Sequence, residues 1–475
     1  MLAVVVIFLL IVGFLWIGNR RGASAAAKFK AELRAKGEKI SFAELGFPKS
    51  ENVEGLVRLT NAVNRIPNVP FQPGTLLLME FSGPGRADVS WLSEEVVLNF
   101  RSKRITWDEL QAHLNRVSDE LAEIRQAVER PMRYYYLWDP TNFPNARYPY
   151  VAMRTAAQWL AADTVAALHA GDRHRARSNI HALVRLTQLN SEDPTLVAQM
   201  IRVAITGLAG NVTWEALQSP KWTEADLTAL QKDWEEVELN QALELGILGE
   251  RAIGDLIFAE LRAHGALRTR KRFLVTPTNP PFQARLEALG VALTWNLAPD
   301  GDELLMLQHY QGLLECFRDL QKQTPWAVVK IKFQTLDGQL QTKLSGVQGF
   351  RHPITSVLIP NFTKACQTVV RNETQRRLTV GALALKRYQL RHERLPAELK
   401  DLVPEFLSGE IFDPMSGQPL RYRPNTNGGF SLYSVGEDGK DDHGDANSAS
   451  PAKTFDLWAG KDAVWPAPEV APKAP

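Results

Sequence analysis

The sequence predicts a mainly α protein with an N-terminal transmembrane helix, an α-helical hairpin domain and a small α+β C-terminal module that contains a short antiparallel sheet. Three observations carry this prediction. Met1–Ile17 is apolar throughout and uncharged. Apolar residues recur near helical spacing from Thr106 to Leu344. After Pro396 the pattern changes to short aromatic and apolar runs that are separated by turn-forming residues.

The composition is that of a globular protein and narrows the range of functions. The chain has 475 residues, 45% hydrophobic and 23% charged, which is long enough for more than one core. A net charge of +2 provides no strong field for nucleic acid, so no nucleic-acid partner is predicted. The basic run Arg268–Arg272 is predicted to form a solvated surface turn. Cys316 and Cys366 lack the spacing of a zinc site, and a disulfide does not follow from one pair.

An uncleaved membrane anchor is the predicted role of residues 1–18. The apolar run is at the short end of the length that spans a hydrocarbon core. A cleaved signal peptide is the alternative, because Ala23–Ala25 has the A-x-A form of a cleavage site. Arg20 and Arg21 lie between the apolar run and that site, which favours the anchor. The same arginines favour a cytoplasmic bulk by the positive-inside rule, unless a start site assigned too late has removed basic residues upstream.

Residues 19–105 and 106–345 are predicted to differ in regularity. A juxtamembrane helix rich in Ala, Lys and Glu precedes a Pro- and Gly-rich segment that is expected to be irregular. From residue 106 onward, amphipathic runs predict a domain of helical hairpins, in which Gly171 ends one helix and Asp172 caps the next. The run 193–217 is apolar nearly all round and is expected to be buried, and 227–261 is predicted to be one long helix.

The C-terminal module, residues 353–466, is predicted to combine a long helix with a small sheet. The helix covers Asn361–Arg391, and a second, short helix follows Pro396. PLRYRP and GFSLYSV are joined by NTNG, which predicts a β-hairpin. The acidic loop Ser434–Asn447 comes next, followed by a last short strand in AGKDAVWP. Residues 467–475 are predicted to be a disordered tail.

Five carboxylates stand close together among the glycines of the acidic loop, a pattern that suits calcium. Calcium takes about six to eight oxygen ligands from carboxylates, backbone carbonyls and water. Glycines let the backbone turn its carbonyls inward, and carboxylates that repel one another in an empty loop become ligands when a cation binds. The order of residues is not that of an EF-hand. A solvated, mobile loop without metal is the alternative.

The order of elements over roughly residues 373–466 resembles the soluble domain of the type II secretion major pseudopilin. The likeness rests on the helix end from Tyr388 to Pro396, on DPMSGQPLRY, and on LYSVGEDG leading into acidic residues. The resemblance implies a pilin-like α+β fold and a calcium ion in the acidic loop. By position, the implied ligands are Asp438, Asp442, Asp445 and Asn447.

The chain also departs from the pseudopilin pattern. Asn447 gives D-x-N where the family has D-x-D, and Met1–Ile17 lacks the Glu that pseudopilins carry near the start of their mature helix. A whole helical domain separates the module from the anchor, whereas a pilin helix runs directly from the membrane into the head. We therefore expect a module carried by a protein that does not polymerise as a pilin.

A membrane-anchored, non-enzymatic interaction or structural protein is the predicted function. The sequence contains no nucleophile elbow, P-loop, H-E-x-x-H or C-x-x-C motif, so no enzyme is predicted. The expected partners are the membrane, through a single-pass anchor, and a protein. Because a modest calcium site is filled outside cells, the bulk is expected on the periplasmic side of a bacterial inner membrane. Two alternatives stay open: an accessory component of a type II secretion or pilus-like system, and an uncharacterised extracytoplasmic enzyme.

Overall fold

The structure is a computed structural model of the chain. It describes residues 24–46, 53–66, 78–81, 87–91, 103–104, 107–130, 150–189, 191–218, 222–273, 299–349, 351–425, 429–447 and 457–465. The predicted anchor and the predicted tail lie outside the described residues.

Helices make up most of the described chain, which confirms the predicted mainly α class. The bounds in chain order are α1 (24–35), α2 (Phe42–Leu45), α3 (Val53–Arg65), α4 (Trp107–Arg116), α5 (Ser118–Val128), α6 (Tyr150–His169), α7 (Arg173–Gln188), α8 (Leu196–Leu217), α9 (Glu224–Glu235), α10 (Asn240–His264), α11 (Ala266–Phe273), α12 (Pro299–Gln321), α13 (Trp326–Leu344), α14 (Gly346–Gly349), α15 (Thr355–Leu358) and α16 (Phe362–His392).

The predicted hairpin between α6 and α7 is confirmed, together with its turn chemistry. Gly171 adopts a φ of 74°, a conformation that glycine takes without steric cost. The Asp172 side chain accepts a hydrogen bond from the Arg175 backbone N–H at 3.0 Å and caps α7. The two helices therefore pack antiparallel, and α8 packs against both of them.

The prediction of one long helix over 227–261 is wrong, because the chain breaks between α9 and α10. Arginines from other helices bind the carbonyl groups at the break. The Arg376 guanidinium of α16 donates to the Trp234 carbonyl at 3.2 Å, and Arg202 of α8 donates to the Glu238 carbonyl at 3.5 Å. These partners are distant in sequence, so the local helical pattern did not reveal the break.

The basic run Arg268–Arg272 lies in a helix, α11, and not in the predicted turn. Gly265, with a φ of 75°, ends α10, and α11 begins at the next residue. Ala266 and Thr269 are buried one turn apart, while Arg268 is exposed. One face of α11 thus lies on the protein, and the basic character of the run belongs to an amphipathic helix.

The core of the helical domain is built around α8, which is buried on most of its surface, as predicted. Among the described residues, α8 alone is long and apolar enough to cross a membrane, but 61% of its apolar window is buried inside the protein. Helices α6, α7, α10 and α16 pack around it. An apolar helix surrounded in this way has the composition of a core helix.

The described residues form two three-stranded antiparallel sheets. The first consists of β1 (Leu78–Phe81), β2 (Ala87–Trp91) and β3 (Lys103–Arg104) and was not predicted from the sequence. The second is the predicted C-terminal sheet of β4 (Arg421–Pro424), β5 (Phe430–Ser434) and β6 (Ala463–Trp465), with β5 in the centre. Arg421 pairs with Tyr433, and Leu432 pairs with Trp465. A 3₁₀ turn, Leu399–Leu402, occupies the place of the predicted second helix.

The long helix α16 belongs to both parts of the molecule. One part of its surface packs on α8 and α9, and another packs on β5. Glu373, in the middle of α16, is buried and binds the guanidinium groups of Arg376 and Arg377. Arg376 also donates to the Trp234 carbonyl at the break between α9 and α10, and Arg377 donates to the Phe412 carbonyl at 2.7 Å. Burial disfavours the charged form of Glu373, but the two arginines keep its pKa below the ordinary value.

Candidate functional site: the acidic loop

The acidic loop leaves β5 through a turn that requires glycine. Gly436 has a φ of 70°, and a Cβ at this position would lie 2.4 Å from the Lys461 carbonyl oxygen. That close approach brings the loop against the segment that leads into β6. The chemistry of the loop therefore includes residues from both segments.

A buried carboxylate, Asp413, fixes the start of the loop. It accepts hydrogen bonds from the Ser434 hydroxyl at 2.8 Å and from the backbone N–H groups of Met415 and Val435 at 3.0 and 3.1 Å. Burial raises the pKa of Asp413, and these hydrogen bonds act against that rise. The Asp of DPMSGQPLRY is thus a structural group that holds the end of β5.

Glu437 attaches the loop to two helices. Its carboxylate accepts hydrogen bonds from the Gln367 amide of α16 at 2.7 and 2.8 Å and from the Arg371 guanidinium. The Lys330 ammonium of α13 lies 3.5 Å away. Partial burial opposes ionisation, but these donors and charges lower the pKa of Glu437. This carboxylate is therefore committed to holding the loop against the helices.

Asp441 attaches the middle of the loop to the sheet. It accepts hydrogen bonds from Arg421 Nε of β4 at 3.1 Å and from the Tyr433 hydroxyl of β5 at 3.2 Å. The His443 backbone N–H also donates to it at 3.0 Å. Desolvation is offset by these contacts, and the pKa of Asp441 is lowered.

Three of the four predicted calcium ligands lie together, around one ammonium group. Lys461 Nζ lies 3.0 Å from Asp445 Oδ2 and 3.9 Å from Asp442 Oδ1. Asn447 donates to Asp445 Oδ1 from its backbone N–H at 2.9 Å and from its side chain at 2.7 Å. The fourth, Asp438, forms a local turn in which its carboxylate accepts the Lys440 backbone N–H at 3.0 Å.

Asp462 is a functional candidate that the sequence analysis missed. Its buried carboxylate accepts the backbone N–H groups of Asp442 and Gly444 at 3.4 and 2.7 Å, and its own N–H donates to the Asp445 carbonyl at 3.0 Å. Burial raises the pKa of Asp462. The sequence did contain a signal, because this acidic residue stands directly before the apolar part of the last predicted strand. The segment was interpreted only as a strand.

The donor chemistry of this cluster suits calcium, while its present arrangement is that of an ion-pair network. Asp442, Asp445, Asp462 and Asn447 offer oxygen atoms, which hard divalent cations prefer. Among the described residues, no group of three or more His, Cys, Asp or Glu side chains is gathered in a way that could hold a metal. In this conformation, Lys461 provides the positive charge that Asp442 and Asp445 share.

Outside the acidic loop, polar groups of α7 pair with carboxylates in and just after α9. His181 Nδ1 of α7 lies 2.7 Å from Asp233 Oδ2 of α9, and Arg185 extends the same row of contacts to Glu236. A small cavity lies under the C-terminal sheet, and Glu410 is the only charged residue among the described residues that line it. One carboxylate in an aliphatic lining provides no acid–base pair.

Comparisons with protein families, curated proteins and solved structures find no match to this chain.

Proposed function

We propose that the chain is a membrane-anchored, non-enzymatic interaction or structural protein whose pseudopilin-like C-terminal module is stabilised by calcium. The observation that carries the calcium part is the position of Lys461. Its ammonium group lies between Asp442 and Asp445, two of the carboxylates that the pseudopilin resemblance implies as ligands. A single side-chain cation at this point marks where the loop concentrates negative charge.

Calcium would compete with Lys461 for this point. The Lys461 side chain is 56% exposed, so it can move into solvent at little cost. Asp442, Asp445 and Asn447 would then supply side-chain oxygens. The Asp462 carboxylate accepts the backbone N–H groups of Asp442 and Gly444 and so holds the backbone of the loop in place. When bound, calcium would neutralise these carboxylates and hold the loop residues 442–447 together.

The non-enzymatic part of the proposal rests on how the ionisable groups of the described residues are used. Glu373, Asp413 and Glu437 hold segments together, and His181 joins α7 to α9. The extracytoplasmic location is part of the same proposal, because a modest calcium site is filled there.

The decisive experiment is a calorimetric titration of calcium into the purified full chain, with four variants beside it. We expect saturable binding that is lost in Asp445→Ala and in Asp462→Asn. Lys461→Met should bind calcium more tightly, since the competing charge is gone. Asp438→Ala is the matched control and should bind like the unmodified chain. Absence of calcium binding in both the unmodified chain and Lys461→Met would refute the calcium site and leave a loop neutralised by its own lysine.

The anchor is tested separately. Membranes that contain the full chain are washed with alkaline carbonate, which removes peripheral proteins, and the side on which the bulk lies is mapped with an impermeant label. Retention in the membrane and labelling from outside the cytoplasm support the proposal. Release into the wash, or labelling only from the cytoplasmic side, would contradict the anchor or the location, respectively.

An accessory role in a type II secretion or pilus-like system is the second candidate. The observation in its favour is the order of long helix, hairpin, acidic loop and terminal strand, which the sequence shares with the pseudopilin pattern. Co-purification of a pseudopilin with the full chain, abolished by Glu437→Gln, would support this role. A chain that purifies without any secretion component would count against it.

A further inference from the structure

The helix that follows the N-terminal apolar run is fixed to the helical domain by buried ion pairs. Lys30 of α1 lies 2.5 Å from both Asp255 of α10 and Glu303 of α12. Lys30 is 14% exposed and Glu303 is 2% exposed, so this contact is largely withdrawn from water. Arg262 also binds Glu303 through two guanidinium nitrogens. The direction of α1 is therefore set by α10 and α12.

A second set of contacts shows which way α1 runs. Just after α1, Glu38 binds Arg251 of α10 and Arg318 of α12. Going from Glu38 back to Lys30, the contacts move along α10 from residue 251 to residue 255 and along α12 from residue 318 to residue 303. The start of α1 thus points toward the C-terminal end of α10 and the N-terminal end of α12.

The basic helix α11 lies at that same end of the molecule. It begins directly after α10, at Ala266. Its sequence, ALRTRKRF, contains four basic residues and no acidic one. The nearby acids are already paired, because Asp255 and Glu303 contact Lys30, and Glu260 lies 3.7 Å from His264. By its sequence, α11 therefore carries a local excess of positive charge at this end of the molecule.

The apolar N-terminal run must leave the protein at this end. Ile17, the last residue of that run, precedes residue 24 by seven positions, a distance of no more than about 25 Å even for a fully extended chain. A bilayer that held Met1–Ile17 would consequently face the end of the molecule where α11 lies. Basic side chains near an anionic membrane surface strengthen association roughly fivefold each.

We propose that α11 is a second membrane contact, which lies against the anionic phospholipid headgroups of the bilayer that holds the N-terminal run. The proposal rests on the membrane anchor put forward under Proposed function. An apolar segment and a polybasic helix on one end of a protein form a two-point attachment that fixes orientation as well as location. The C-terminal end of α12, near Lys322, would then lie on the far side of the molecule.

The test measures distances from the membrane surface in the full chain. The chain is reconstituted into vesicles whose headgroups carry an energy-transfer acceptor, with a donor dye on Ala263→Cys at the end of α10. Cys316 and Cys366 are buried, so the introduced cysteine is labelled selectively. The matched control is a dye on Lys322→Cys, 19 residues along α12 from Glu303, or about 28 Å away. Lys322 is 75% exposed.

We expect stronger transfer from site 263 than from site 322, and a further rise at site 263 alone when phosphatidylglycerol replaces part of the phosphatidylcholine. Raising the salt concentration should remove that rise, since it is electrostatic. The triple variant Arg270→Gln, Lys271→Gln, Arg272→Gln should lose it as well. Equal energy transfer from both sites would overturn the proposal. So would transfer from site 263 that does not change with anionic lipid, with salt or in the triple variant. Release of the chain from the vesicles by alkaline carbonate would instead contradict the membrane anchor. Failure of the anchor and failure of the α11 contact are therefore distinguishable.

Discussion

Helix α1 and the acidic loop are both held by ion pairs, but at very different depths. The contacts of α1 and of Glu38 just after it are buried: Arg251 is fully buried, and Glu303 is 2% exposed. The acidic loop is held near the surface, where Asp441 and Arg421 are about one-third exposed and Lys461 is 56% exposed. Buried pairs are costly to break because one charge is left without a partner, whereas exposed pairs contribute little. Ion pairs thus fix α1 in place, whereas the exposed ion pair of Lys461 leaves the acidic loop free to exchange this ammonium group for another cation.

The largest effect is expected for Arg251→Met. This change removes the guanidinium that binds Glu38 and donates to Gln311 at 3.0 Å and to the Lys39 carbonyl. We expect a loss of about 3 kcal/mol in the free energy of unfolding, measured by urea denaturation. Arg58→Met, which removes an exposed pair with Glu54, is the control and should cost no more than about 0.5 kcal/mol. Equal losses in the two variants would contradict the distinction between buried and exposed pairs.

Asp302, a buried carboxylate with His352 Nδ1 at 3.8 Å, should make stability depend on pH. Asp302 accepts the backbone N–H groups of Ile354 and Thr355 at 2.7 and 3.2 Å, and burial raises its pKa from 3.8 to about 7. The folded state then holds a proton that the unfolded state has lost between about pH 4 and 7. The contribution of Asp302 to stability is therefore present at low pH and is lost as the pH rises through 7.

The measurement is the difference in unfolding free energy between the unmodified chain and Asp302→Asn at pH 5 and at pH 7. That difference should change by about 2 kcal/mol, with the unmodified chain favoured at pH 5. Asp119→Asn, on the exposed surface of α5, is the control and should leave the pH dependence unchanged. A pH-independent difference for Asp302→Asn would mean that its carboxyl group stays charged in the folded protein.

Glu437→Gln probes the attachment of the acidic loop to α13 and α16. The carboxylate is 21% exposed and binds Arg371, Gln367 and Lys330. We expect a loss of about 1 kcal/mol in stability. Tryptic cleavage at Lys440 should become faster as the loop opens. Glu405→Gln, at an exposed pair with Arg391, should leave the cleavage rate unchanged. If cleavage is equally slow in both variants, Glu437 does not hold the loop.

The smallest effect is expected for Arg421→Met, which removes the exposed partner of Asp441. The change should cost no more than about 0.5 kcal/mol at low ionic strength. In 0.5 M salt the cost should vanish, while the cost of Arg251→Met should persist, because salt screens exposed charges more than buried ones. An Arg421→Met effect that survives high salt would place this pair with the buried contacts.

The sequence was informative wherever the signal was local. Helical spacing, the Gly171–Asp172 turn and the C-terminal hairpin each depend on residues a few positions apart, and each is found in the structure. The clustering of Asp442, Asp445 and Asn447 is local in the same sense.

The missed features depend on partners that are distant in the chain. The break between α9 and α10 needs Arg202 and Arg376, and the role of Asp462 appears only when the segment before β6 lies against the acidic loop. The strands of the first sheet stand in a Pro- and Gly-rich segment where the alternation of apolar residues is weak. Local patterns carry no information about such pairings.

The last described strand has a consequence for the order in which the chain is completed. Trp465 of β6 is buried and stacks on Trp214 of α8, with 4.1 Å between the ring centroids. The central helix of the large domain therefore receives part of its cover from residues that a ribosome makes about 250 residues later. The emerging chain carries an exposed indole on α8 until β6 has been made and released. A message truncated before Ala463 would yield a protein with that indole still in water, a mark that quality-control factors can recognise.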